Sequence, residues 1–201
     1  MLIPFLELSL RICVHHYQIL KYDYVYEHII IKMSSVNIPQ EFDKIIKELP
    51  LEERFLKLEE IFKTSDDESE RWDAVWIAGE IPVEVDLKGP LFEKMVDLFA
   101  WVLKNDSNDV VRHEVCYQIA ARNMRRIIPD LAHAANYDVS PLVRHEATEC
   151  LMIIRATEQM DAIEKSLHDK NESVRNTARL VLKRMQRYKS KFNAKSEWIS
   201  I

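Results

Sequence analysis

Four arginines, Arg71, Arg112, Arg144 and Arg175, recur at spacings of 41, 32 and 31 residues, each at the same phase of an amphipathic segment. The segments are "SERWDAVWIAGEI", "DVVRHEVCYQIAAR", "SPLVRHEATECLMIIR" and "SVRNTARLVLKRMQR". Within them apolar residues return at helical intervals, as in Val111, Val115 and Ile119, which predicts helices with one buried face. Each is preceded by a second amphipathic stretch: "LEERFLKLEEIFK", "PLFEKMVDLFAWVLK", "RRIIPDLAHAANY" and "TEQMDAIEKSLHDK". Polar turns such as "NDSND" join the members of a pair, and Pro90 and Pro141 stand where a helix would begin. One hairpin cannot cover its own apolar face, whereas four stacked hairpins share a core. The expectation is an all-α solenoid of four helical hairpins over 39–188, with "PQEFDKIIKEL" closing its N-terminal end.

Composition narrows the function classes. Apolar residues make up 47% and charged residues 30%, which suits a globular chain rather than a disordered one. The two glycines, Gly79 and Gly89, are too few for the glycine-rich phosphate cradles of nucleotide-binding folds. A net charge of −5 makes no case for nucleic acid, and the basic run 184–195 reads as a solvated helix end. Three scattered cysteines, Cys13, Cys116 and Cys150, fit a reducing compartment better than a disulfide framework. A cytoplasmic protein is expected. Residues 1–38 read as an N-terminal extension in which Glu7, Arg11 and His15-His16 break up any membrane-length apolar run, and Met33 is a second candidate start. Residues 189–201 read as a basic tail. No membrane partner is expected.

The spacing resembles short HEAT-like repeats, whose second helix carries a Val-Arg-x-x-Ala-Ala pattern with the two variable positions on the concave side. That resemblance accounts for the valine and arginine of the repeated segment, but not for His113-Glu114 and His145-Glu146, which fill the variable positions of the two middle repeats. Neighbouring helices in such a stack lie ~8–10 Å apart, so His113 and His145 can share one metal at ~2.1 Å per bond. Glu114 and Glu146, ~100° further around their helices, can bind the same ion, bridge to a second, or reach a partner chain. Imidazole with carboxylate suits iron, manganese or zinc. Ordinary polar surface explains a single His-Glu pair, but two pairs in identical phase, with none in either terminal repeat, favour a site. Tyr117 and Glu149 lie one turn further along the same helices and are candidates for contacting substrate or supporting the ligands. His133 and His168 fall in first helices and read as solvated. Trp72 and Trp76 read as packing residues.

In this order the four repeats resemble one half of deoxyhypusine hydroxylase. The matches are His113, Glu114 and Tyr117 in "VVRHEVCYQIA", and Val143 through Ala147, Glu149 and Leu151 in "PLVRHEATECL". They lie within a stretch running from about Leu49 to Arg187. Ala120 and Met152 stand where that family's segments usually end in glycine. The resemblance implies a di-iron monooxygenase, with His113, Glu114, His145 and Glu146 as metal ligands and Glu149 and Tyr117 toward substrate. It also implies a deoxyhypusine-type modified lysine of a translation factor as substrate. A carboxylate-bridged iron pair draws on about six side chains, and one chain offers four. A homodimer with Fe(II), two per dimer, would restore the full set. The alternatives are a single-chain mononuclear site and a non-catalytic HEAT-repeat scaffold that binds a protein.

Overall fold

A computed structural model describes residues 40–85 and 89–199, with side chains over 44–85 and 89–190. The N-terminal extension and its histidine pair lie outside the described residues. The elements are α1 (Gln40–Lys47), α2 (Leu51–Thr64), α3 (Glu68–Glu84), α4 (Pro90–Asn105), α5 (Asp109–Ala121), α6 (Ile128–Tyr137), α7 (Pro141–Ile153), α8 (Met160–Ser166) and α9 (Glu172–Ile199). Among the described residues there is no strand, and no helix is long and apolar enough to cross a membrane. Residues 189–199, expected as a tail, continue α9. Of the two units into which the chain divides at Lys44, the repeats belong to the second, Ile45–Ile201.

That second unit is a solenoid of four helical hairpins, α2–α3, α4–α5, α6–α7 and α8–α9. The first helices pack on one another in one layer and the second helices in another. Leu58, Ile77, Phe99, Ile119, Leu131 and Leu151 are buried between the layers. Each such side chain contributes about 1.5–3 kcal/mol of transfer free energy. The wide first spacing has a simple cause. Helices α3 and α4 run for 17 and 16 residues, whereas α5 and α7 have 13 and α6 has 10.

The repeated arginines form a ladder along the turns. Arg71 forks onto Asp106 at 2.8 and 3.1 Å, Arg112 onto Asp138 at 2.9 and 2.8 Å, and Arg144 onto Asp169 at 2.6 and 2.9 Å. In every repeat the remaining guanidinium nitrogen donates to the carbonyl of the residue that opens its own turn: Ser65, Asp106, Asp138 and, from Arg175, Asp169. The three aspartates also accept the backbone N–H two residues on, from Asn108, Ser140 and Asn171, at 2.7–2.8 Å. Those three residues in turn cap the next helix by accepting from its first amides. Arg71, Arg112 and Arg144 are 6%, 6% and 3% exposed, so these are buried ion pairs with their hydrogen bonds made. Burial opposes the Asp169 carboxylate, but hydrogen bonds from Arg144 and the Asn171 amide hold its pKa below the usual range.

Helices α5 and α7 end alike. Met124 N donates to Ile119 O and Asn123 N to Ala120 O, and the same pattern joins Ala156 to Leu151 and Arg155 to Met152. Asn123 and Arg155 take φ of 52° and 55°, the left-handed position where glycine is most at ease. Gly79 serves a different end. A Cβ there would come within 2.2 Å of Gln118 Oε1, so its bare backbone is what lets the buried Gln118 amide lie between α3 and α5.

Candidate metal centre

The ladder sets the position of the residues that follow it. Arg112 and Arg144 are pinned at the first turns of α5 and α7, and the next two residues of each helix are the His-Glu pairs. The Ser140 hydroxyl donates to Asp109 at 2.6 Å and ties the starts of the two helices together.

His113, Glu114, His145, Glu146 and Glu149 form a run of contacts from α5 to α7. His113 Nε2 lies 3.2 Å from Glu146 Oε2, and its Nδ1 lies 3.3 Å from Glu114 Oε1. His145 Nε2 is 3.8 Å from Glu149 Oε2, while its Nδ1 meets the Thr177 hydroxyl at 2.7 Å. The Cys150 thiol donates to Glu146 Oε1 at 3.3 Å. Glu146 is therefore the shared residue, touching His113 from the neighbouring helix and grouped with His145 and Glu149 on its own. The side chains of His113, Glu114 and Glu146 are 12% exposed and those of His145 and Glu149 21%, so the cluster opens toward Glu149.

Electrostatics of the cluster are those of carboxylates gathered around too little positive charge. Burial works against an imidazolium at His113, yet the Glu146 charge and the hydrogen bonds to Glu114 and Glu146 raise its pKa to about 10. Burial would raise the Glu146 carboxyl, but His113, then His145 and the Cys150 thiol, hold it low. Glu149 is pushed up to about 7 by burial and by the like charge of Glu146. Burial, with Glu146 adding to it, keeps the Cys116 and Cys150 thiols protonated. A divalent cation would supply the missing charge.

The donor set fits such an ion. One ligand atom each from His145, Glu146 and Glu149 lies within 4.8 Å of the others. His113 and His145 each have one ring nitrogen facing a neighbouring residue's oxygen, Glu114 and Thr177 respectively, with Nε2 turned toward carboxylates; such partners fix ring orientation in metal sites. Sequence reasoning named His113, Glu114, His145 and Glu146 as ligands and set Glu149 toward substrate; the structure adds Glu149 to the His145–Glu146 group, and Thr177 and Cys150 as contacts that reading did not assign. Thr177 had a signal, because it occupies in the fourth repeat the position that Glu114 and Glu146 hold in the middle two. Tyr117 lies beside Trp76, ring centroids 5.9 Å apart. His133 is exposed and tilts against Tyr137 at 4.9 Å. His168 is exposed as well.

Fold and site together define a helical-repeat protein with a half-buried histidine–carboxylate cluster on its second-helix layer. Residues 96–183 match the HEAT repeats family model. Beyond that class, the relatives are deoxyhypusine hydroxylases, and the chain resembles one half of them. The enzyme of Saccharomyces cerevisiae is 26% identical over 154 residues, 75% of this chain and 47% of the relative. That of Arabidopsis thaliana is 34% identical over 83 residues, 40% of this chain and 26% of the relative. The structure of human deoxyhypusine hydroxylase in complex with glycerol shares the fold, with a TM-score of 0.57 at 20% identity over 70% of this chain and 46% of that one. The chain thus spans about half the length of the S. cerevisiae enzyme and less of the Arabidopsis one.

Proposed function

We propose that the protein is a cytoplasmic, iron-dependent hydroxylase of the deoxyhypusine hydroxylase kind, and that a second copy of the chain completes its iron pair. One observation carries this reading: His113 meets Glu146 across two adjacent helices, with Glu114 beside the one and His145 and Glu149 grouped with the other. His113, Glu114, His145 and Glu146 hold Fe(II), two ions per dimer. Glu114, beside the His113 ring, would be the carboxylate offered to the second copy. Iron bound there supplies oxygen activation and oxidation of an unactivated C–H bond. The chain's own groups position and shield. Thr177 orients His145, Cys150 steadies Glu146, and the burial of His113 and Glu146 keeps bulk water away. Glu149 and Tyr117 face the amine of the substrate, a deoxyhypusine-type modified lysine on a translation factor.

A second reading has the 4.8 Å grouping behind it: His145, Glu146 and Glu149, with His113 beside them, hold one iron within a single chain. Native mass spectrometry of protein expressed with added iron separates the two, run beside Glu149→Gln and the His113→Ala/His145→Ala double variant. The proposed enzyme is a dimer carrying two irons that the double variant loses and Glu149→Gln keeps. A monomer with one iron, lost in Glu149→Gln, supports the mononuclear site. A metal-free protein indifferent to all three changes after iron reconstitution leaves a HEAT-repeat binding module.

A further inference from the structure

The tryptophans beside the cluster are not explained by packing alone. Trp76 keeps 41% of its surface exposed while its chain neighbours Val75 and Ile77 are buried. Its ring meets Tyr117 at 5.9 Å and 42°, and Trp72 braces it edge-on at 6.1 Å and 63°. In the repeat register Trp76, Tyr117 and Glu149 occupy one position on the second helices of three consecutive repeats, four residues beyond Trp72, His113 and His145. The exposed ring surface therefore forms a row with a carboxylate at its far end, flanking the His–Glu cluster.

From this we infer that Trp76 and Tyr117 form a wall that receives a cationic alkylammonium side chain, whose C–H to be oxidised stands over the cluster. The inference rests on the hydroxylase reading above and assigns to that site a group that selects its substrate. Ring faces carry the negative side of the aromatic quadrupole, and a cation within ~6 Å of a ring centroid is held by it. The apolar stem of such a side chain lies against the same rings. This protein makes the contact elsewhere, with Lys165 Nζ 4.0 Å above Tyr137 and the Arg155 guanidinium 4.8 Å from Tyr188. The carboxylates of Glu114, Glu146 and Glu149 give the surroundings the matching sign. Arg122, the cation near Tyr117, stands at the end of α5, five residues further from the cluster, where Glu80 shares its field.

The test is titration of the full-length, metal-free protein with a deoxyhypusine-bearing peptide and with the same peptide acetylated on its amines. Calorimetry and tryptophan fluorescence are the readouts. Trp76→Leu is expected to weaken the cationic peptide by about 3- to 30-fold, to leave the acetylated peptide unchanged, and to leave iron content on reconstitution intact. Trp76→Phe, which keeps a ring, should retain most of the affinity. Equal loss for both peptides, no loss for either, or no binding of the cationic peptide by the unaltered chain overturns the wall. So does a Trp76→Leu chain whose main change is dissociation of a dimer, which would make this face a contact between copies. Hydroxylation and iron content are measured separately. A chain that binds the cation through Trp76 but neither holds iron nor hydroxylates retains the wall and loses the enzyme. A hydroxylase indifferent to Trp76→Leu does the reverse.

Discussion

The arginine ladder and the His–Glu cluster occupy adjacent positions of the same helices, yet they are built on opposite terms. The ladder runs through all four repeats; its three buried arginines are matched by forked ion pairs and turn carbonyls, and Arg175 by turn carbonyls alone. The cluster is confined to the middle two repeats and leaves carboxylates competing for too few positive groups, so that His113 rises to about 10 and Glu149 to about 7. Charge that is fully answered within the chain serves the fold. Charge that is left wanting invites a ligand.

The contrast breaks first at its strongest link. Asp138→Ala strands the Arg112 guanidinium in a buried site and should cost about 3–5 kcal/mol in urea unfolding. His145→Ala, one residue from an equally buried arginine, should abolish tight iron binding while moving metal-free stability by less than about 1 kcal/mol. If the two variants destabilise alike, the division of labour fails. Thr177→Val sharpens the contrast. It keeps every proposed ligand but frees the His145 ring, and should weaken metal binding by about 10- to 100-fold in a chelator competition.

Acid should act on the ladder with a defined sign. Asp169 is held below its unfolded value of about 3.9, so its stabilisation is complete above that pH and is lost as pH falls through the lower folded value. Unfolding midpoints measured from pH 5 to pH 2 should fall less steeply in Asp169→Asn, which lacks the titrating group. The smallest effect is local. Asn123→Gly relieves a left-handed φ of 52° and should raise stability by up to about 1 kcal/mol.

The helices, their pairing and the phase of the His-Glu residues were legible because each depends on local periodicity. The arginines were legible as a repeat but not as a ladder. Their partners Asp106, Asp138 and Asp169 stand in the sequence two residues before each helix cap, yet only the stacking of one hairpin on the next brings them to the guanidinium. The same holds for the site. His113 and Glu146 touch across helices 33 residues apart in sequence, and Thr177 reaches His145 from 32 residues further along, in the following repeat. Spacing nominated the residues; inter-repeat packing chose which atoms meet. Glu149 shows the limit most clearly, because its distance from the other donors depends on a rotamer that no sequence pattern encodes.

Each ladder aspartate serves two masters. Its carboxylate answers the arginine of the repeat before it, and its backbone carbonyl answers the arginine of its own repeat. In the language of one-dimensional arrays, that is strong nearest-neighbour coupling. A hairpin cannot peel away without unpairing charges on both sides of the break. The array from Arg71 to Arg175 should therefore melt as one cooperative block rather than fray repeat by repeat, and the two helices carrying the cluster sit at its centre, furthest from either end.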